Sequence, residues 1–256
     1  MKKRICGLAF DDLTVEEAVR RAMRRDGEQR WVATPNALML SSCMQDPSQA
    51  EMLSGASLVL ADGSGVIWAA KRLGTPLCGR IAGIDFAERV LRVCAERGER
   101  VFFLGGREGV ATRAAERMEE RIEGLKICGC YWGYFEKTGE ENQRVLSLIN
   151  AHRPSVLFVC FGFPEQERWI RENLPQLKTV RLAAGLGGSF DVWAGRCRRA
   201  PKLVQRLGCE WAWRMMLEPR RMSGIPALVR FRRTIARTSR VEKLSKKTKN
   251  LVKCTR

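Results

Sequence analysis

An α/β, Rossmann-like fold, a mostly parallel sheet with helices on both faces, is the class this sequence predicts. Three observations predict it. Short apolar runs alternate with stretches of helical periodicity between residues 31 and 183, as crossover connections of a parallel sheet require. The run Phe102-Phe103-Leu104 passes directly into Gly105-Gly106 and then into a helical stretch, the order of a phosphate-binding turn. Finally, 256 residues with 45% apolar and 29% charged side chains can bury a sizeable core, which excludes global disorder.

The elements follow in order. Trp31 to Thr34 reads as a strand, with a helical stretch from about Asn36. Ser57 to Ala61 is a strand and Gly63 to Leu73 a helix. Phe86 to Glu96 is amphipathic, with Phe86, Val90, Leu91 and Cys94 on one face. Arg100 to Leu104 is a strand, Val110 to Ile122 a helix, Leu125 to Cys128 a strand and Glu140 to Ala151 a helix. Ser155 to Cys160 has the continuous apolar character of a buried strand. Glu165 to Asn173 is a helix and Thr179 to Ala183 a strand. Past Gly195 the texture changes: Pro201 to Leu217 is helical and Pro219 stops it. From Ala227 to Leu244 a helix places Leu228, Phe231 and Ile235 on one side, and Lys243 to Arg256 is expected to fray. The division therefore falls at 195, between an α/β body (1–195) and a basic helical appendage (196–256).

Charge marks the same division. The whole chain carries +18, but residues 196–256 hold 19 basic and 3 acidic side chains, while residues 1–195 are close to neutral. A basic tail attracts any polyanion. Apolar residues interleaved with arginines at helical spacing suit an anionic bilayer surface better than nucleic acid, and no nucleic-acid module precedes them. The longest apolar run, Val156 to Phe163, is far below the roughly 20 residues of a spanning helix, and Ile5 to Phe10 is too short for a signal peptide. The ten cysteines contain no CxxC pair and His152 stands alone, so the thiols read as apolar filler in a reducing cytoplasm rather than as a zinc site or disulfide framework.

Several strand ends carry chemistry, each with a structural alternative. Gly105 and Gly106 would let backbone N–H groups approach an anion, or simply make a tight turn. Asp62, in Ala61-Asp62-Gly63-Ser64-Gly65, is either a carboxylate in the crevice at the strand ends or a helix N-cap. Asp191, in Gly187-Gly188-Ser189-Phe190-Asp191, has the same two readings. Thr34 and Asn36 could hold sugar hydroxyls or cap the next helix. Pro164 starts a helix, but the Gln166-Glu167 pair at a strand end is unusual. Arg80 faces a phosphate or solvent. An NAD-dependent oxidoreductase is disfavoured because the full GxGxxG and its ribose-binding acid are missing.

Read together, Thr34-Pro35-Asn36, Ala61-Asp62-Gly63-x-Gly65-Val66, Arg80-x-x-Gly83-Ile84-Asp85, Phe103-Leu104-Gly105-Gly106 and Gly162-x-Pro164-x-Gln166-Glu167 form an ordered series. It continues through Gly185-x-Gly187-Gly188-x-Phe190-Asp191-x-x-Ala194-Gly195, Arg199-Ala200-Pro201, Glu210-Trp211-x-x-Arg214 and Glu218-Pro219-x-Arg221. Over residues 5–221 this resembles the WecG/TagA/CpsF family of bacterial glycosyltransferases. The resemblance implies a Rossmann-like enzyme that moves an N-acetylhexosamine from a UDP-sugar donor to a polyprenyl-diphosphate-linked acceptor. It would work at the inner face of the cell membrane as a peripheral protein, and would self-associate. In the TagA branch the donor is UDP-N-acetylmannosamine and the acceptor N-acetylglucosaminyl-diphospho-undecaprenol, for wall teichoic acid; WecG-like and CpsF-like members use other sugars or serve other polymers.

The resemblance further implies that Asp62 is the catalytic base and that Thr34, Asn36, Arg80 and Gln166 line its pocket. Gly105, Gly106, Glu167 and Asp191 complete the expected substrate-binding set. Arg214, Arg220 and Arg221 would meet the acceptor's diphosphate. After them the family's further Arg-Tyr pair has no counterpart, and Arg230 or Arg232 is placed to stand in. With no DxD motif and no ligand cluster, no cofactor is expected and transfer should be independent of metal.

Overall fold

The computed structural model describes residues 1–254 except 207, 209 and 218, and describes no side chains at 202, 206, 214, 217, 219–221 and 242–254. The chain opens with a hairpin where the sequence shows only a short apolar run. Strands β1 (Lys2–Ile5) and β2 (Leu8–Asp11) pair antiparallel around Cys6 and Gly7, both at positive φ. Helix α1 (Val15–Ala22), also unexpected, begins at a capping box in which Thr14 and Glu17 satisfy each other's backbone N–H.

Six strands follow: β3 (Arg30–Ala33), β4 (Leu58–Val59), β5 (Arg100–Gly105), β6 (Lys126–Tyr131), β7 (Val156–Cys160) and β8 (Leu182–Gly185). They form one sheet in the order β4-β3-β8-β7-β5-β6, with every neighbouring pair parallel. This is the Rossmann-like α/β architecture expected. Two boundaries differ. Thr179 and Val180 close the turn before β8, with Val180 N–H bonded to Leu177 O and the Thr179 hydroxyl to Pro154 O. At the edge, β6 runs on to Tyr131, past a register shift beside Val101 and Phe102.

Alternation along the strands builds two cores. Phe103, Phe158 and Ala184 face a first layer made of α1, α5 (Gly83–Arg97), α6 (Val110–Arg121) and α9 (Ser189–Trp193). Phe102, Leu104, Leu157 and Val159 face a second layer. It comprises α2 (Ala37–Cys43), α3 (Pro47–Ser54), α4 (Ser64–Arg72), α7 (Gly139–His152) and α8 (Glu165–Asn173). Six of the eight described thiols belong to or pack against these cores, while Cys78 is exposed and Cys197 lies outside them. Burial pushes Cys6 and Cys43 up to about 11 and Cys94 up to about 12, and the eight described cysteines are all free.

The C-terminal quarter differs from expectation in three ways. The helix expected over Pro201 to Leu217 is two, α10 (Lys202–Arg206) and α11 (Glu210–Leu217), separated at Gly208, whose φ is +72°. Helix α12 (Ile225–Cys254) continues through the stretch expected to fray, because nothing after Pro226 interrupts it. Most consequentially, the apolar stripe of α12 is not free to meet a bilayer. Phe231 and Ile235 are 2% and 1% exposed and belong to the second core, where α12 lies across α2 and α4. The Ser41 hydroxyl donates to Ala227 O at 3.2 Å and the Ser239 hydroxyl to Arg72 O at 2.8 Å, fixing the helix at both ends of the stripe. The change in charge at 195 is therefore not matched by a break in packing.

Candidate active site

Parallel strands direct all their C-terminal ends to one edge, so residues far apart in sequence collect there. The first group surrounds Asp62. Its N–H bonds to Pro35 O at 3.1 Å, and Ile81 N–H bonds to Ala61 O at 2.9 Å, which draws the three motifs Thr34-Pro35-Asn36, Ala61-Asp62-Gly63 and Arg80–Gly83 into contact. The Asp62 carboxylate accepts the Gly83 N–H at 3.3 Å. It does not cap the following helix: the N-cap of α4 is Gly63, at φ +88°, with no side-chain cap bond. Asp62 therefore caps not the helix that follows it but the start of α5, whose first N–H is that of Gly83, whereas Asn36 caps its own following helix. Asn36 accepts the N–H groups of Leu38 and Met39 at 2.9 and 3.2 Å.

Thr34 connects this group to the middle of the sheet. Its hydroxyl donates to Gly185 O at 3.3 Å, and Gly83 packs so closely on it that a Cβ there would lie 2.9 Å from Thr34 Oγ1. Beyond, Gln166 Oε1 accepts both Gly162 N–H (3.2 Å) and Gly187 N–H (2.9 Å), tying together the loops after β7 and β8. Glu167 is fully enclosed beneath these loops and accepts from Gln166 Nε2 at 2.7 Å, so it offers no surface to a substrate.

The glycine turn after β5 is shaped by packing. A Cβ on Gly105 would lie 2.5 Å from Cys160 O, and Gly106 N–H is bonded to that carbonyl at 3.0 Å. That N–H is therefore spent within the protein and not held out to an anion. Gly106 O accepts Gly133 N–H at 2.8 Å, which brings the loop after β6 against the turn. There Trp132 and Tyr134 lie stacked and exposed, ring centroids 6.3 Å apart, and the Lys137 ammonium donates to Gly133 O and Phe135 O at 2.7 Å each. Sequence reasoning missed this shelf, although an aromatic run around a glycine directly after a strand was a signal for it. Asp191 stands on α9, half-buried, with Arg196 at 3.7 Å, and its side chain caps nothing.

Arg80 reaches the C-terminal segment instead of solvent. It pairs with Glu210 of α11 at 3.3 Å; Glu210 lies 3.7 Å from Arg199, which grips Asp85 bidentately at 2.6 and 2.9 Å. The Ser64 hydroxyl, on the first turn after Asp62, donates to Gly208 O at 2.6 Å. The C-terminal segment is thus fastened beside Asp62. The side chains of Arg214, Arg220 and Arg221 lie outside those described. Among the described residues no group of three His, Cys, Asp or Glu could hold a metal ion.

Comparison with known proteins gives this edge its meaning. Residues 3–244 match the family model described as the glycosyl transferase WecG/TagA/CpsF family. The chain belongs to the WecG/TagA/CpsF family. One relative, from Bacillus spizizenii (strain ATCC 23059 / NRRL B-14472 / W23), is 36% identical over 205 residues, covering 78% of this chain and 77% of its own. Another, from Staphylococcus aureus (strain MRSA252), is 29% identical over 246 residues, covering 94% and 95%. Both are named N-acetylglucosaminyldiphosphoundecaprenol N-acetyl-beta-D-mannosaminyltransferase. As a WecG/TagA/CpsF member the protein is a glycosyltransferase. Its edge has what such chemistry needs: a carboxylate at a strand end, an arginine on the adjoining Arg80–Gly83 motif, and helices that begin directly after the strands. The N-termini of α4, α6 and α8 lack a side-chain cap and carry positive potential, although the Val110 and Gln166 N–H groups in the first turns of α6 and α8 are bonded to Arg107 O and Gly162 O. Among the described residues no helix is long and apolar enough to cross a membrane.

Proposed function

We propose that this protein moves N-acetylmannosamine from UDP-N-acetylmannosamine onto N-acetylglucosaminyl-diphospho-undecaprenol, in assembly of wall teichoic acid or a related surface polymer. Asp62 takes the proton of the acceptor hydroxyl as that oxygen attacks the anomeric carbon. The bond to the diphosphate breaks on the opposite face, its electron pair leaves with UDP, and the configuration inverts. Arg80, with the positive potential of the helix N-termini along this edge, meets the charge that develops on the leaving diphosphate, without a metal. Asp62 follows β4 and the glycine turn ends β5, four strand spacings away, or about 19 Å. That span suits an extended nucleotide-sugar with its nucleotide at the Trp132–Tyr134 shelf and its sugar at Asp62.

The observation that carries this reading is the place of the Asp62 carboxylate, at a strand end where Gly83 N–H, the first of α5, orients it beside the Thr34-Pro35-Asn36 and Arg80–Gly83 motifs. The acceptor is membrane-bound, so the enzyme works as a peripheral protein at the inner face of the cell membrane. With Phe231 and Ile235 buried, the docking face is formed by exposed Trp211, Met216, Met222, Ile225 and Val229, flanked by Arg230 and Arg233.

The test is transfer by the full chain to a short-chain lipid-linked acceptor, offered UDP-N-acetylmannosamine, its uronic acid form or UDP-N-acetylglucosamine. The first donor is expected to be consumed fastest, giving a product of opposite anomeric configuration. Preference for either other donor would move the enzyme to a different branch of the family.

A further inference from the structure

The pair Gln166–Glu167 lies in the middle of the sheet edge, between the Asp62 group and the glycine turn. A primary amide has two faces of opposite character: its oxygen accepts and its NH2 donates. Here the oxygen of Gln166 receives two backbone N–H groups, Gly162 from the loop after β7 and Gly187 from the loop after β8. Turned by 180°, the amide would set NH2 against both of those donors and its oxygen against a carboxyl oxygen. All three hydrogen bonds would be lost inside the protein, where each is costly to leave unmade. What distinguishes the two orientations on the NH2 side is Glu167 Oε1, at 2.7 Å.

The surroundings leave this knot little freedom. Gln166 is 3% exposed and Glu167 0%. A Cβ on Gly185 would lie 2.7 Å from Gln166 Nε2 and 3.1 Å from Glu167 Oε1, so the end of β8 is pressed against both side chains. The carbonyl of that same Gly185 receives the Thr34 hydroxyl, which continues the connection to β3 and the Asp62 group. Glu167 Oε2 is buried without a hydrogen-bond partner. An ionised carboxylate would leave that oxygen's charge uncompensated, whereas a neutral carboxyl places its proton there.

We infer that Glu167 is a positioning residue: its Oε1 fixes the amide of Gln166, and that amide holds the loops after β7 and β8 in register with Thr34 across the donor crevice. Glu167 touches no substrate and acts only through Gln166. The inference rests on the transferase reading of this crevice.

Three variants of the full-length enzyme test it, with kcat and KM for the UDP-sugar, calorimetric UDP binding and thermal melting followed in each. E167Q keeps an acceptor in the same place and is isosteric with a neutral carboxyl; it is expected to stay within about threefold of wild type. E167D draws the acceptor back by one methylene and E167M removes it. Both are expected to lose on the order of tenfold in kcat/KM, the scale of one lost hydrogen bond, at a melting temperature where the enzyme remains folded. The further sign is non-additivity: in a Q166M background, adding E167M is expected to cost nothing more in kcat/KM. Wild-type kcat/KM in E167D, equal losses in E167Q and E167D, or full additivity in the double variant would each overturn the inference. Wild-type protein that neither binds UDP nor transfers sugar would instead refute the transferase reading. E167D and E167Q decide the matter should E167M fail to fold.

Discussion

Glu210 on α11 holds Arg80 at 3.3 Å, so a residue from the C-terminal segment sets the direction of the arginine beside Asp62. Arg199 steadies Glu210 from the other side while gripping Asp85 on the first turn of α5. The pairing keeps a cation at the crevice without spending it on solvent, and a diphosphate arriving there meets an arginine already oriented.

R80A is therefore expected to weaken UDP binding on the order of tenfold, the scale of one charge-assisted hydrogen bond of about 1.5–3 kcal/mol. Titration calorimetry of UDP into the variant checks this. An unchanged Kd would place the diphosphate away from Arg80.

The α12 stripe yields a stability prediction. I235A removes a buried side chain from the second core and should cost about 2–4 kcal/mol in denaturant unfolding. M216D should leave stability nearly unchanged, since Met216 is 76% exposed, but should reduce co-sedimentation with anionic liposomes. An unfolding midpoint for I235A equal to wild type would mean that the stripe is not packed as described. Full liposome binding by M216D would remove Met216 from the docking face.

Glu167 should be visible in the pH dependence of stability. Burial pushes its carboxyl from 4.5 up to about 7, opposed by the weaker lowering from the Gln166 hydrogen bond. Between those values the folded state keeps a proton that the unfolded chain has released. Stability from this group is thus present in full below about 4.5, falls as pH rises towards about 7, and is level above that. The integrated loss is of the order of 3 kcal/mol. The difference between wild-type and E167Q unfolding curves isolates it, and a difference that does not vary from pH 4.5 to 7 would show that Glu167 ionises as an ordinary carboxyl.

Metal dependence can be read directly. Transfer is expected to persist in EDTA at its full rate, because Arg80 and helix N-termini carry the leaving-group charge. Activity that disappears with EDTA and returns with Mg²⁺ or Mn²⁺ would contradict this.

Much of this architecture is legible in the sequence because it rests on local period. Helix α8 runs over Glu165–Asn173 as its pattern predicts, and β5 and β7 fall within a residue of expectation. The overlooked elements had signals of their own: Thr14-x-x-Glu17 for α1 and Asp46-Pro47 for α3, each a cap followed by a helix. The hairpin was hidden because Cys6 and Gly7 turn the chain inside what reads as one apolar run. The amphipathicity of α12 is plain, but what covers its stripe is a tertiary fact, since its contacts with α2 and α4 span 186 residues (Ser41 to Ala227) and 167 residues (Arg72 to Ser239). The site was legible as an ordered set of motifs. Which residues are consumed within the protein was not: the Asn36 cap, the Gly106 N–H and the Gln166–Glu167 knot all depend on partners fixed only by the fold.

The account stands on Asp62 as the base that activates the acceptor. Single-turnover transfer from UDP-N-acetylmannosamine to the lipid-linked acceptor should fall about 10²–10⁴-fold in D62N, with UDP affinity and melting temperature close to wild type. A D62N enzyme that keeps more than half the wild-type rate would contradict it, leaving the carboxylate as no more than a bracket for the Gly83 N–H.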